Sequence, residues 1–150
     1  MPTPFESAQL ILTLYEQRRE ETMRKARDFW AMFDPETMDD FMATMFGPQS
    51  GYVRMVMSYW DMAASLVTFG AIDAEMFRAG NGEIVATFAK VEPFLAKLRE
   101  TSGIKDLAHH METVVRAMPG STERLARLKQ QFQAAAEAKD DKKGKRAKRR

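Results

Sequence analysis

His109 and His110 are the only histidines in the chain, and two carboxylates, Asp106 and Glu112, flank them in the segment DLAHHME. On a helix, spacings of three and four residues put such groups on one face, where imidazole and carboxylate together could ligate a metal ion. The set is only half a site. A di-iron bundle requires an acid-x-x-His unit on two helices, and no further histidine exists to build the second. A zinc site would have to be completed by carboxylates alone, because the chain has no cysteine. These residues are therefore read as a solvated helix face carrying ion pairs. No metal and no cofactor is expected.

Asp61 raises a different question, as the only charge in residues 55–72, MVMSYWDMAASLVTFGAI. No second acid or base stands near it in sequence, so general acid–base chemistry has no partner group. The chain also lacks a G-x-S-x-G elbow and a Walker loop, and Gly80-Asn81-Gly82 is not a dinucleotide fingerprint. No catalytic residue is identified, and a non-enzymatic protein is expected.

As a helix the eighteen residues of that run would be about 27 Å long, just short of a ~30 Å hydrocarbon layer. Asp61 near the middle argues against a span, since a carboxylate there costs roughly 2.5–3.5 kcal/mol on insertion. Arg54, Ser58, Asp61, Ser65 and Thr68 recur at spacings of 4, 3, 4 and 3, a narrow polar stripe on a helix that is apolar elsewhere. The pattern predicts a soluble core helix over about 52–69 with one polar seam. On that seam Asp61 faces either water or an arginine of another helix, Arg24 or Arg27, because an unpaired buried charge is too costly to persist.

The rest of the chain supplies helices to surround it. Thr3-Pro4-Phe5-Glu6 reads as a capping box with Pro at the first helical position. Ala8, Ile11, Tyr15, Met23, Ala26, Trp30 and Phe33 follow at helical spacing, interrupted by the charges Arg18-Arg19-Glu20-Glu21. Asp34-Pro35 leads into a short helix with Met38, Phe41, Met42 and Met45 on one face, and Gly47-Pro48-Gln49-Ser50-Gly51 is a loop. Gly70 predicts a left-handed cap, Asp73 a short helix, and Asn81 the N-cap of a helix that Pro93 kinks or breaks near Val91. The clearest periodicity comes next, through Ile104, Leu107, Ala108, Met111, Val114, Val115 and Met118. Pro119-Gly120 stops it, and Ser121 opens a last helix with a narrow stripe of Leu125, Leu128, Phe132 and Ala135.

Composition agrees with this reading. A chain of 150 residues with 45% hydrophobic content suits one helical domain with an ample core. The absence of cysteine fits a reducing cytoplasm, and the N-terminus lacks the basic region of a signal peptide. The net charge of +2 conceals an asymmetry. Residues 139–150, KDDKKGKRAKRR, hold eight of 23 Lys and Arg and two of 21 Asp and Glu, leaving 15 basic and 19 acidic residues, a net of −4, elsewhere. Lys142, Lys143, Lys145, Arg146, Lys148, Arg149 and Arg150 suit the phosphates of nucleic acid or an anionic surface. With no aromatic in the run to stack on bases, it supplies affinity without sequence reading. The Met-rich helix is the second candidate surface. Met38, Met42 and Met45 either fill a tolerant core or offer an adaptable face to another protein.

The segments MRKARDFW (23–30), SYWDMAASLVTFGAIDAEMF (58–77) and NGEIVATFAKVEPFL (81–95) together resemble a group of small helical bacterial proteins carrying a domain of unknown function. Some members of that group have an N-terminal membrane anchor, for which this chain shows no segment. The resemblance spans roughly residues 8 to 130 and implies a helical fold and a bacterial source, but no activity and no site residues.

The expectation is a single all-α domain over 1–138, an irregular bundle of six to seven helices around the helix at 52–69. A disordered Lys/Arg-rich tail follows over 139–150. The expected function is a non-enzymatic, cytoplasmic protein-interaction module. The alternative is a nucleic-acid- or ribosome-associated protein tethered by its tail. No transmembrane segment is expected, and the sequence sets no oligomeric state.

Overall fold

Thr3 caps the first helix as the sequence predicts. Its hydroxyl accepts the backbone N–H of Glu6, and the Glu6 carboxylate accepts that of Thr3 in return. The computed structural model describes residues 1–148. Helix α1 spans Pro4–Arg19, α2 Glu21–Met32, α3 Met38–Met45, α4 Ser50–Thr68 and α5 Ala74–Gly80. Helix α6 spans Glu83–Val91 and passes through a 3-10 turn, Glu92–Phe94, into α7, Leu95–Ser102; α8 is His109–Ala117 and α9 Ser121–Ala147. No strand occurs among the described residues, so the architecture is all-α. None of these helices is long and apolar enough to cross a membrane.

The elements are divided more finely than the expected six to seven helices, for local reasons. Glu20 leaves the helical region with ψ 142°, and its carboxylate accepts the N–H groups of Thr22 and Met23. A carboxylate on the positive end of a new helix offsets the loss of continuity. The charged interruption is therefore a break. Pro93 cannot donate to Ala89, and the chain tightens there into the 3-10 turn. Asn81 closes α5 instead of opening α6: it is fully buried, and its amide donates to the carbonyl of Phe77.

Two larger departures concern α8 and α9. The periodicity from Ile104 to Met118 predicts one helix, yet α8 begins only at His109. Gly103 is left-handed at φ 71° and Ala108 at φ 56°, and Arg99 holds the intervening turn by donating twice to the carbonyl of Leu107. At the other end, residues 139–147, expected to be disordered, continue α9 as helix to Ala147. Lys139 anchors this segment on Asp34 at 2.6 Å. Beyond it Asp140, Asp141 and Gly144 are the weak helix formers among lysines, arginine and alanine, and the glycine costs about 1 kcal/mol relative to alanine.

Helix α4 packs against α2, α3, α6 and α8. It buries Val53, Val56, Met57, Tyr59, Trp60, Ala63 and Ala64, and it starts at Ser50, two residues before the expected 52. Phe41, Phe77 and Phe88 are fully buried with Trp60 in the same core. Removing each such side chain from water contributes about 1.5–3 kcal/mol. Gly70 ends α4 at φ 77°, where its own N–H and those of Ala71 and Ile72 return to the last carbonyls of the helix.

Candidate functional site

Asp61 meets neither Arg24 nor Arg27. Its Oδ1 accepts the backbone N–H of Met111 at 2.9 Å. Met111 is the third residue of α8, and the residue before that helix, Ala108, has no polar side chain with which to cap it. Asp61 is thus the N-cap that α8 lacks, supplied from α4 fifty residues away, with its charge at the positive helix end. The remaining seam residues bond along α4. Arg54 donates to the Ser50 hydroxyl, and Ser58, Ser65 and Thr68 donate to the carbonyls of Met55, Met62 and Ser65. Thr68 also lies 2.7 Å from Nδ1 of His110, on α8. Asp61 and Thr68 thus join α4 to α8, while Arg54, Ser58 and Ser65 bond only within α4.

The histidine face does not converge on a metal site. His109 is exposed, and His110 packs its ring against Phe69. Glu112 is engaged by Arg99 at 2.7 Å and Arg116 at 3.0 Å. Burial alone would raise its carboxyl, but the two guanidiniums outweigh that and hold it below the ordinary range. Among the described residues no three metal-ligating side chains come together.

A group absent from the sequence reading holds the most concentrated chemistry. Lys90 lies within the apolar helix α6 and is buried, and its Nζ donates to the carbonyls of Trp30 at 2.8 Å, Ala31 at 3.2 Å and Phe33 at 2.8 Å. Those carbonyls form the negative end of α2, so the ammonium acts as a C-cap donated from another helix. Asp34 Oδ1 stands 3.3 Å away as counter-ion. Burial pushes the ammonium below its ordinary range, and Asp34 pulls it partly back. An amine so placed resembles a catalytic lysine in burial, but its three N–H groups are spent on backbone and carboxylate. The signal was present as a lone lysine amid Ile84, Val85, Phe88 and Val91. A lysine stem commonly covers apolar surface while its head reaches water, which is why the position passed as ordinary.

Two cavities, of about 810 and 540 Å³, flank this lysine, and both are lined by Lys90 and by Phe132 of α9. The larger also borders Arg24, Lys25, Arg27, Trp30 and Thr87. Two of its cations pair with carboxylates of the same lining: Arg27 makes a two-pronged pair with Glu83 at 2.8 and 2.6 Å, and Lys25 pairs with Glu21. Arg24, exposed on α2, has no carboxylate within 4.0 Å among the described residues. Glu83 also draws Arg18, which is buried over the Trp60 ring. Beside them the Tyr59 hydroxyl donates to the Leu14 carbonyl at 2.6 Å, and burial pushes its phenol up to about 12.

The outer surface differs from expectation on α1. Ser7, Leu14 and Arg18 face the core, whereas Phe5, Leu12 and Tyr15 point outward at 70%, 64% and 50% exposure. Spacing groups Tyr15 with Ile11 and Met23, but the structure turns it outward. With the half-buried Ala8, the outward residues recur at 3, 4 and 3, a second apolar stripe on the solvent side. Met38, Met42 and Met45 are half-buried against the core, with exposed Phe46 beside them at the end of α3. Lys142, Lys143, Lys145, Arg146 and Lys148 are exposed at the end of α9. Arg149 and Arg150 lie outside the described residues.

A sequence model of the family described as domain of unknown function (DUF4760) matches residues 4–118, and the chain belongs to that family. No curated protein and no solved structure matches the chain.

Proposed function

We propose that this member of a family of unassigned function is a non-enzymatic interaction module, a bundle built around α4 that presents helix surfaces to another protein. The observation that carries this reading is the solvent-facing stripe of α1: Phe5 and Leu12 are large, apolar and exposed, and Tyr15 beside them is half exposed under the guanidiniums of Arg18 and Arg19. The half-buried Met38, Met42 and Met45, with Phe46, form a second apolar surface in the same reading. In the same sense, buried Lys90 is consumed by the end of α2, half-buried Arg27 and Glu83 by each other, and half-buried Glu112 by Arg99. A cytoplasmic setting is proposed from the cysteine-free sequence, which fits a reducing compartment, and a bacterial one from the family resemblance alone. The test compares affinity purification of the unmodified chain and Leu12→Glu from the native cell. Leu12 is exposed, so the variant should keep its thermal stability to within about 0.5 kcal/mol and lose its co-purifying protein. An unchanged set of co-purifying proteins would remove the basis for α1 as the contact surface.

The basic end of α9 favours a second reading, attachment to nucleic acid. Its exposed lysines and arginine belong to a segment of net +6 on a remainder of net −4, from eight basic minus two acidic and 15 minus 19. Deleting residues 140–150 removes seven basic and two acidic residues and takes the net charge from +2 to −3. Binding to duplex DNA, followed by fluorescence anisotropy, should fall with log salt at about −0.9 per phosphate neutralised and vanish on that deletion. Salt-insensitive binding would end this reading.

A further inference from the structure

The family match ends at Met118, and α9 starts just beyond it, at Ser121. Helix α9 therefore lies outside the matched domain and packs onto it, against α6 and α8. Its first turns are held by buried Leu125 and half-buried Leu128. Past Leu128 the attachment changes character. Lys129 pairs with Glu92, the Phe132 ring lies over Lys90 with 4.9 Å from Nζ to its centroid, and Lys139 pairs with Asp34. Lys129, Phe132, Ala136 and Lys139 are spaced 3, 4 and 3, one seam of the helix. The receiving carboxylates, Glu92 on the 3-10 turn and Asp34 just after α2, match lysines ten residues apart, about 15 Å along a helix.

We infer that the face formed by the end of α2, α6 and the 3-10 turn is a helix-docking surface of the family domain, occupied in cis by the Lys129–Lys139 segment of α9 as a detachable strap. The surface selects a helix with an aromatic over its buried lysine and a cation toward each end. Asp34 and Glu92 supply the complementary charge, and α9 carries that pattern. The cavities of about 810 and 540 Å³ beside Phe132 mean that the strap rests on a few points and is not packed at core density. The strap lysines are 36% and 43% exposed. Ion pairs of this kind are weakened by salt. A segment held by few apolar contacts and screened charges opens before the core does.

The chain has no cysteine, so single introduced thiols report opening without background. Ala89 is 1% exposed on α6, lining the smaller cavity with Phe132, whereas Ala63 is 0% exposed on α4. In the full-length protein, Ala89→Cys should react with a thiol reagent faster than Ala63→Cys. Raising sodium chloride from about 0.05 to about 0.5 M should speed Ala89→Cys on the order of tenfold, leaving Ala63→Cys unchanged. Adding Lys139→Glu should bring the same acceleration at low salt. Equal rates for the two thiols at both salts would show that α9 leaves only with global unfolding and would overturn the strap. Protection of Ala89→Cys that rises with chain concentration, together with a dimer in sedimentation, would assign the surface to a second copy and overturn occupancy in cis. If Ala89→Cys fails to fold, amide exchange at 129–139 against 111–115 in the unmodified chain makes the same comparison.

Discussion

An ammonium carries three N–H donors, and Lys90 Nζ finds three carbonyls and a carboxylate around it. Lys90→Met would leave the end of α2 without its donor in a buried setting. The expected loss is roughly 3–5 kcal/mol, the range for breaking a buried ion pair from one side. Urea denaturation would measure it, and a loss below about 1 kcal/mol would mean that the carbonyls find other donors. Asp61 works at the opposite kind of helix end. Asp61→Ala should cost about 0.5–2 kcal/mol, and Asp61→Asn should recover most of it, because asparagine caps nearly as well. Equal losses for both variants would mean that the carboxylate acts through its charge alone. Neither role is legible in sequence, because each residue serves a helix end that lies far away in the chain.

Among the elements, the ends proved less legible than the existence. Gly70 and Pro93 are local signals, and the structure places a left-handed cap and a break where they stand. Helix α8 starts later than its periodicity, because Ala108 is left-handed and Arg99 and Asp61 fix the turn from outside. Helix α9 outruns its apolar stripe because helix formers continue and Lys139 is pinned to Asp34. A Cβ at Gly144 meets no atom within 4 Å, and Gly144 sits in the helix interior. Gly144→Ala should therefore stabilise the end of α9 by about 1 kcal/mol. Far-ultraviolet circular dichroism would read this as increased helicity, and unchanged helicity would mean that residues beyond Lys139 are not helical in solution.

For the molecule as a whole, pH reports how its buried groups are coupled to folding. The Tyr59 phenol rises from 10.0 to about 12 on folding. Its contribution is complete below pH 10 and is lost as pH rises toward 12. The buried Lys90 works in the opposite direction, since its lowered value makes the unfolded chain the better proton binder up to about the ordinary lysine value of 10.5. The difference between the unmodified chain and Tyr59→Phe isolates the tyrosine. That difference should be about 0.5–1.5 kcal/mol at neutral pH from the lost hydrogen bond and should shrink through the alkaline range. A difference independent of pH between 10 and 12 would contradict the burial of the phenol. On the acid side, Glu112 is held below its ordinary 4.5 and loses its contribution as pH falls through the depressed value. By itself the sequence determined the helical class, the apolar character of α4 and the contrast between a basic C-terminus and an acidic remainder, because periodicity, composition and charge are properties of short stretches. Only the tertiary structure decided that Asp61 caps α8, that Lys90 caps α2, that Tyr15 faces outward and that α9 lies across the matched domain. Each of these depends on which distant helix end or surface a side chain meets, and the free energy of burying a charge is set by that partner.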